Sequence, residues 1–223
     1  MWLRWARLAG RFLSYSLAGY AAWLALMLPL YRFVDPPLSN LMLLHAVQGD
    51  AVSNSWTPLS RISPALLGAV IASEDASYCQ HWGVDWGAVR EAMQHNGGGA
   101  STIPMQTVKN LFLWNGKTVL RKVPEVPLAY AANLIWGKPR LLEIYLNIAE
   151  WGPGIFGVEA ASQHYFHTSA ATLTSHQASL LAAVLPNPIR RDAGNPGAAL
   201  RSHAARVRRR LNSGPNRTAC VLP

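Results

Sequence analysis

Acidic side chains are scarce in this 223-residue chain. Eleven Asp and Glu stand against 20 Lys and Arg, which gives a formal net charge of +9, and charged residues of both signs amount to only 14%. This balance favours an anionic partner, such as a phosphate group, a nucleic acid or a membrane surface. The length suits one domain with a substantial core rather than two.

Cysteine is scarcer still, because the chain has only Cys79 and Cys220. No third ligand stands at metal-binding spacing near either residue, so the sequence predicts no metal site. Two thiols so far apart do not make a disulfide framework, even in an oxidising compartment. Their separation favours unpaired thiols and leaves the redox state open. Strand-rich regions and internal repeats are lacking too, which predicts a mainly α-helical fold.

One stretch lacks charge altogether. The 20 residues 12–31 contain no charged side chain, and this is about the length that spans a bilayer. The stretch is longer than the apolar region of a signal peptide, and it has no polar face of the kind a surface helix shows. We therefore expect an uncleaved anchor. Arg4, Arg7 and Arg11 precede it, so the positive-inside rule predicts a cytoplasmic N-terminus and places the rest of the chain on the far side.

The predicted organisation has five parts: a cytoplasmic N-terminus (1–11), a transmembrane helix (12–31), a linker and entrance segment (32–58), a main domain (59–212) and a tail (213–223). Residues 41–56 form either a short helix or a strand pair. Ser63-Pro64 is typical of a helix start, and that helix ends at Glu74. Apolar spacing predicts further helices over 86–94, 103–110, 126–136, 140–147, 158–166 and 178–185.

The last predicted helix follows Asn195-Pro196 and is basic and amphipathic. Its arginines form either a solvated face or a contact with anionic lipid headgroups.

Glu74 is the candidate acid or base. It closes an apolar helix and precedes Asp75, His81 and Asp85, and burial against that helix would raise a glutamate pKa toward neutrality. Residues 95–102 form a Gly-rich loop able to bring backbone N–H groups to an anion, and Lys109 follows it. Glu125 is expected in the first turn of the helix over 126–136, where prolines are tolerated.

Five stretches carry a family resemblance. They run from Glu74-Asp75 to Asp85, from Gly99-Ala100-Ser101-Thr102-Ile103 to Asn110, over Arg121-Lys122-Val123-Pro124-Glu125, from Lys138 to Asn147, and from Gly157 to Phe166. In this order they resemble the monofunctional biosynthetic peptidoglycan transglycosylases of glycosyltransferase family 51, relatives of the glycosyltransferase module of class A penicillin-binding proteins. The resemblance covers about residues 60–188.

This resemblance implies a lysozyme-like, mainly helical domain behind one inner-membrane anchor, with the domain in the periplasm. It also implies polymerisation of lipid II into β-1,4-linked glycan strands, with inversion at the donor carbon and release of undecaprenyl diphosphate. Glu74 matches the catalytic base, which takes the proton of the acceptor 4-hydroxyl. Glu125 matches the second essential carboxylate, on the diphosphate side.

The resemblance also implies a set of substrate-binding residues. Four match the cations that hold the diphosphate, whose developing charge needs fixed positive partners: Lys109, Arg121, Lys122 and Lys138. Four further positions match the polar strip of the cleft: Ser101, Thr102, Gln106 and Asn110. No cofactor is required, and stimulation by Mg²⁺ or Mn²⁺ is left open. The expected partners are lipid II, the growing lipid-linked glycan, membrane lipids and cell-wall synthesis or division proteins.

The chain departs from the family pattern at several positions. Ala100 stands where the family has a second glycine, and it would carry strain if that position needs positive φ. Met105 replaces a glutamine, and Pro104, Pro124, Pro127 and Pro139 are unusual. Two other functions are therefore weighed: a lysozyme-like glycan hydrolase with Glu74 as general acid, and a non-catalytic membrane-anchored scaffold. Nucleic-acid binding is set aside, because no such motif is present.

Overall fold

A computed structural model of the chain describes residues 2–94, 99–114, 116, 119–213 and 216–222. Residues 95–98 of the Gly-rich loop lie outside this part. Within it the fold is mainly α-helical, as predicted. The α-helices are α1 (Trp2–Leu30), α2 (Asn40–Gln48), α3 (Pro64–Glu74), α4 (Trp86–Gln94), α5 (Ile103–Phe112), α6 (Val119–Ile148), α7 (Val158–Phe166), α8 (Ser175–Val184) and α9 (Ala198–Ser213). The strands are β1 (Ser53–Asn54), β2 (Glu150–Gly152) and β3 (Ile155–Phe156). Short 3₁₀ helices cover Leu59–Arg61 and Ala170–Thr172.

The N-terminal helix α1 contains the apolar stretch. Arg7–Leu30 is long and apolar enough to cross a membrane by length and composition. The C-terminal half of α1 is docked on the domain, because the Tyr20 hydroxyl donates to the Phe112 carbonyl (2.6 Å) and the Trp136 indole N–H donates to the Leu28 carbonyl (2.6 Å). The candidate anchor therefore approaches the domain along α5 and α6.

The segment after α1 is folded onto the domain. It contains both a helix, α2, and a strand, β1, where the sequence left the choice between them open. β1 pairs parallel with β3, which pairs antiparallel with β2, so the sheet order is β1-β3-β2. The Asn147 amide holds both the N–H and the carbonyl of Thr57 at 2.7 and 2.9 Å. The domain bounds themselves stay a prediction.

Helix α3 forms the centre of the domain and delivers Glu74. Pro64 stands at its start, where a missing N–H costs little. All residues from Leu66 to Ala72 are buried, in contact with α8 and α9. At Gly68 an added Cβ would lie 2.9 Å from Leu211 Cδ2, so α9 crosses α3 at a close approach that a larger side chain would prevent.

Helix α6 begins earlier than predicted. It starts at Val119, so Glu125 lies in its second turn and the expectation of a first-turn position was wrong. Pro124 and Pro127 lie inside the helix. They leave the carbonyls of residues four positions earlier, Leu120 and Val123, without an intrahelical donor. Those two residues are exposed, so water can satisfy the carbonyls.

The long helix breaks at Gly137, whose φ of 71° and ψ of 170° are not helical. Pro139 then lies in the first turn of the second half, where proline is tolerated. The helix predicted over 140–147 lies in this second half and is confirmed.

The two cysteines form a disulfide, so the preference for unpaired thiols was wrong. Cys79 follows α3 and Cys220 lies in the C-terminal tail, and α9 carries the chain back across α3 to the turn that holds Cys79. This return depends on how α9 packs on α3, which sequence separation does not reveal. The tail is thereby fastened beside the segment that follows Glu74.

Candidate active site

Glu74 lies at the end of α3, partly sheltered, with hydrogen bonds from neutral donors. The Gln106 amide donates to Glu74 Oε2 at 3.1 Å, and the Ser73 hydroxyl lies 3.3 Å from Oε1. The Tyr145 hydroxyl in turn donates to Gln106 Oε1 at 3.3 Å. A chain of hydrogen bonds from Tyr145 through Gln106 therefore orients the Glu74 carboxylate.

Burial raises the pKa of Glu74 above the ordinary glutamate value, and the hydrogen bonds from Gln106 and Ser73 and the charge of Arg191 lower it in part. Desolvation disfavours the charged carboxylate, which makes it more basic. A glutamate with a raised pKa accepts a proton more readily, and this suits a general base.

Asp75 and His81 form hydrogen bonds that fix the end of α3, where Glu74 lies. Asp75 accepts the His81 Nε2–H at 2.8 Å and the Ile103 N–H at 2.9 Å, and it is only 6% exposed. His81 Nδ1 accepts the Gly83 N–H at 3.1 Å, so both ring nitrogens are occupied. Asp75 thus ties the end of α3 to the start of α5, and His81 has a structural environment.

Glu125 has a different environment from Glu74. It is 1% exposed and is ion-paired with Arg121 one turn earlier and with Lys122 three positions earlier on α6. The Lys122 ammonium also donates to the Ser101 hydroxyl at 2.8 Å. Because α6 starts at Val119, these pairs form on one helical face, and they hold the two cations at the Ser101 side of the cleft.

Lys109 completes this group of cations. Burial, followed by the charge of Arg121, lowers its pKa, while Glu125 acts in the opposite direction. Among the described residues no carboxylate lies within ion-pair distance of Lys109. Glu125 pairs with Arg121 and Lys122 but not with Lys109, so an anion that entered here would relieve the mutual repulsion of the three cations.

Glu74 lies between two cavities. One, of about 290 Å³, is lined by Glu74, Gln106, Lys109, Asn110 and Tyr145. The other, of about 550 Å³, is lined by Glu74 and by Ser101 and Thr102 of the loop before α5. A carboxylate that faces two cavities can contact two molecules at once, as a transfer between two substrates needs.

The loop before α5 explains two of the departures from the family pattern. Thr102 caps α5 by accepting the Met105 N–H, and its hydroxyl donates to the Gly83 carbonyl at 2.6 Å. Among the described non-glycine residues only His167 has positive φ, so Ala100 carries no left-handed strain. Gly99 takes the positive φ, at 120°. Met105 is buried, and it lines an apolar cavity with Val84.

Lys138 is not brought into the group around Lys109. Its ammonium donates to the His81 carbonyl at 2.7 Å and lies 4.4 Å from the centre of the Tyr78 ring. Burial lowers its pKa to about 8. Neither cavity that Glu74 lines includes it, and its predicted role with the diphosphate stays a prediction.

Sequence reasoning missed several contributors to the site. Tyr145 was not among the predicted site residues, yet its hydroxyl holds Gln106. Arg191 was not considered, yet its charge acts on Glu74. Arg210 and Arg217 also line the larger cavity. The position of Tyr145 within a matching stretch was the one available signal, whereas the arginines reach the site only through the packing of α8, α9 and the tail.

Metal ligands do not gather at the site. Among the residues that the structure describes, no three His, Cys, Asp or Glu side chains form a group that could hold a metal ion. The expectation of no required cofactor stays a prediction.

Comparisons with known proteins address the same region. A family model described as Transglycosylase matches residues 41–212. The chain is 49% identical over 204 residues to a biosynthetic peptidoglycan transglycosylase of Agrobacterium fabrum, covering 88% of this chain and 90% of the relative. The chain belongs to the transglycosylase family. Proteins of the same name from Rhizobium meliloti and Rhodospirillum centenum are 49% and 48% identical over 197 and 201 residues, which are 86% and 87% of this chain and 83% and 87% of the relatives.

The match to the transglycosylase family includes every residue predicted to be catalytic or substrate-binding, because all lie between 41 and 212. It begins inside α2 rather than at residue 59. The tail beyond residue 212, with Arg217 and Cys220, lies outside the matched region.

Proposed function

We propose that this member of the transglycosylase family is a peptidoglycan glycosyltransferase that polymerises lipid II into β-1,4-linked glycan strands and releases undecaprenyl diphosphate. The observation that carries the proposal is the position of Glu74. It faces two cavities, has a raised pKa and is oriented by Gln106, while Arg121 and Lys122 pair with Glu125 and Lys109 lines the smaller cavity.

In this reaction Glu74 accepts the proton of the acceptor 4-hydroxyl while that oxygen bonds to the anomeric carbon of the donor. The bond from the anomeric carbon to the diphosphate breaks, its electron pair leaves on the diphosphate oxygen, and the configuration inverts. Lys109, Arg121 and Lys122 stabilise the charge that develops on the leaving group. Arg121 can bind phosphate through two hydrogen bonds, whereas each Lys acts as a point charge.

Glu125 acts as a positioning residue in this scheme. Both of its oxygens are engaged by cations, one by Arg121 and one by Lys122. It fixes where those cations lie and partly offsets their repulsion before substrate binds. Ser101 adds a neutral contact to Lys122, and Asn110 and Gln106 line the cavity beside Lys109.

Glycan hydrolysis is the competing function on the same residues, with Glu74 as general acid. The group of Lys109, Arg121 and Lys122 favours transfer, because hydrolysis of a glycan releases no diphosphate for these cations to stabilise.

The decisive test is polymerisation of fluorescent lipid II by the detergent-solubilised protein, with products separated by size and then digested with lysozyme. We expect lysozyme-sensitive polymer, and a loss of about 10²- to 10⁴-fold in rate for Glu74→Gln. Glu159→Gln is the matched control, because Glu159 lies on α7 and binds the Ala170 N–H away from the cleft. Soluble fragments from intact peptidoglycan, with no new polymer, would overturn the proposal in favour of hydrolysis.

Metal dependence is measured in the same assay. We expect polymer to form in EDTA, with Mg²⁺ or Mn²⁺ changing only the rate. Complete and reversible loss of polymerisation in EDTA would show that the Lys and Arg side chains alone do not stabilise the leaving diphosphate.

The location we propose is the inner membrane, with the N-terminus in the cytoplasm and the domain in the periplasm. Support comes from the docked helix α1 and from an exposed apolar stripe on α6 formed by Leu120, Val123, Tyr130 and Leu134. A lipid substrate would reach the cleft from that side. An alkaline phosphatase fusion after residue 223 should be active, and an inactive fusion would reverse the orientation.

A further inference from the structure

The C-terminal tail is folded back onto α3. Cys220 is bonded to Cys79, Val221 is buried, and Thr218 lies beside the close approach of α9 to Gly68. Thr218, Cys220 and Val221 lie outside the region matched by the family model. The tail therefore has a fixed place next to the segment that carries Glu74, and it is held there by a covalent bond as well as by packing.

This arrangement brings two guanidinium groups to the larger of the two cavities. Arg210, near the end of α9, donates to the Ala72 carbonyl at 3.3 Å, and Arg217, in the tail, donates to the Ala76 carbonyl at 2.7 Å. These carbonyls flank Glu74 in sequence. Arg210 and Arg217 both line the cavity of about 550 Å³ that Glu74 also lines.

The arginines have donors left for a ligand. A guanidinium carries five N–H groups, and the Arg217 Nε–H is buried without a hydrogen-bond partner among the described residues. Two of the acids that line the cavity have other partners: Asp75 is held by His81 and the Ile103 N–H, and Asp85 by Ser77 and the Ala88 N–H. The carbonyls of Ala72 and Ala76 thus use only part of the donor capacity of the two guanidinium groups.

We propose that Arg210 and Arg217 bind an anionic group of the substrate molecule that supplies the attacking hydroxyl, and that the Cys79–Cys220 disulfide holds Arg217 in place for this contact. The inference rests on the proposed function, in which two anionic molecules meet at Glu74. Lys109, Arg121 and Lys122 serve the leaving diphosphate of one molecule. The arginine pair serves an oxyanion of the other, either a carboxylate of its peptide stem or its own diphosphate.

The test measures binding apart from turnover. Every variant is made in the Glu74→Gln protein, and the dissociation constant for fluorescent lipid II in detergent is read by anisotropy. We expect Arg217→Gln and Arg210→Gln each to weaken binding about tenfold, since each removes a charge-assisted hydrogen bond. Arg217→Lys keeps the charge but not the planar fork, and should lose less. Arg201→Gln, an exposed arginine of α9 outside the cavity, is the matched control and should bind as its parent does.

The disulfide is tested with Cys79→Ser/Cys220→Ser and with a reductant. The double variant should weaken binding as Arg217→Gln does, and reductant should weaken the parent but not the double variant. Arg217→Gln retains the disulfide, so its result does not depend on whether the double variant folds.

Two ligands identify the anion. With lipid II whose stem carboxylates are amidated, the effect of Arg217→Gln disappears if the arginines bind a carboxylate and persists if they bind the diphosphate. Undecaprenyl diphosphate alone has no stem, so with it the effect of Arg217→Gln is likewise absent if the arginines bind a carboxylate and present if they bind the diphosphate.

The inference fails if Arg217→Gln and Arg210→Gln bind lipid II as tightly as Arg201→Gln does. It also fails if, with Glu74 restored, Arg217→Gln lowers kcat and leaves KM unchanged, because that result means the arginine only holds the end of α3. The proposed function fails separately, by absence of polymer from the unmutated protein that still binds lipid II.

Discussion

Glu74 and Glu125 are the same residue type in two opposed environments. Glu74 is partly sheltered and, among the described residues, receives side-chain hydrogen bonds from neutral Gln106 and Ser73 alone, whereas Glu125 is buried between Arg121 and Lys122. The first keeps a raised pKa and an open face toward two cavities. The second has no open face. The comparison separates a carboxylate placed to accept a proton from one placed to hold cations.

Removal of the Glu125 charge is expected to change the stability of the fold more than removal of the Glu74 charge does. Glu125→Gln leaves Arg121 buried with one counter-charge fewer, which costs about 3 kcal/mol, the low end of the range for a broken buried pair because Lys122 is partly exposed. We expect the melting temperature to fall by about 6–12 °C. Thermal unfolding followed by circular dichroism measures this. An unchanged melting temperature would show that the ion pairs contribute nothing to stability.

For Glu74 we expect the opposite change, because removal of its charge should raise the melting temperature. Its raised pKa means that the folded state keeps a proton that the unfolded state releases, so stability falls as pH rises from the ordinary glutamate pKa to the raised one. Above that pH range the charged Glu74 carboxylate destabilises the folded state by the full amount. Glu74→Gln should therefore raise the melting temperature at pH 7 by a smaller amount than Glu125→Gln lowers it, and the gain should vanish below pH of about 4.3. A lower melting temperature at pH 7 would contradict the assigned environment.

Gln106 tests whether the Glu74 carboxylate is oriented and tuned by its neutral neighbour. Its hydrogen bond lowers the pKa of Glu74, so Gln106→Met should raise that pKa further and move the acidic limb of the kcat/KM profile to higher pH. At pH 7 we expect kcat/KM to fall about tenfold. Gln163→Met is the control, because Gln163 is exposed and its amide donates to Glu159 on α7. If the acidic limb stays at the same pH, Gln106 does not affect the pKa of the catalytic base.

The sequence indicated the environment of Glu74 but not that of Glu125. The helices predicted over 86–94 and 158–166 are confirmed because their apolar spacing is regular. Glu74 was recognisable at the end of an apolar helix. The ion pairs of Glu125 were hidden because Pro124 and Pro127 suggested a later start of α6.

Other features were beyond any local pattern. The strands β1, β2 and β3 have two or three residues each, too few to show alternation. The disulfide and the positions of Arg210 and Arg217 depend on how α9 crosses α3. Helices can thus be predicted from the apolar spacing within a segment, whereas contacts between segments distant in sequence cannot.

Tyr145 should give the smallest effect, and it tests how far the orientation of Glu74 extends. Tyr145→Phe removes the donor to Gln106 Oε1, so the amide loses one of the contacts that fix its rotation. One neutral hydrogen bond is worth about 1 kcal/mol. We expect a similar loss of stability and a fall in kcat of about threefold, with KM unchanged. Tyr165→Phe loses a comparable bond, to the Trp151 carbonyl, and Tyr165 lines neither of the cavities that Glu74 lines. If both variants lower the melting temperature and only Tyr145→Phe lowers kcat, the Tyr145 hydroxyl acts through Gln106; equal kcat in both would confine the orientation of Glu74 to Gln106 and Ser73.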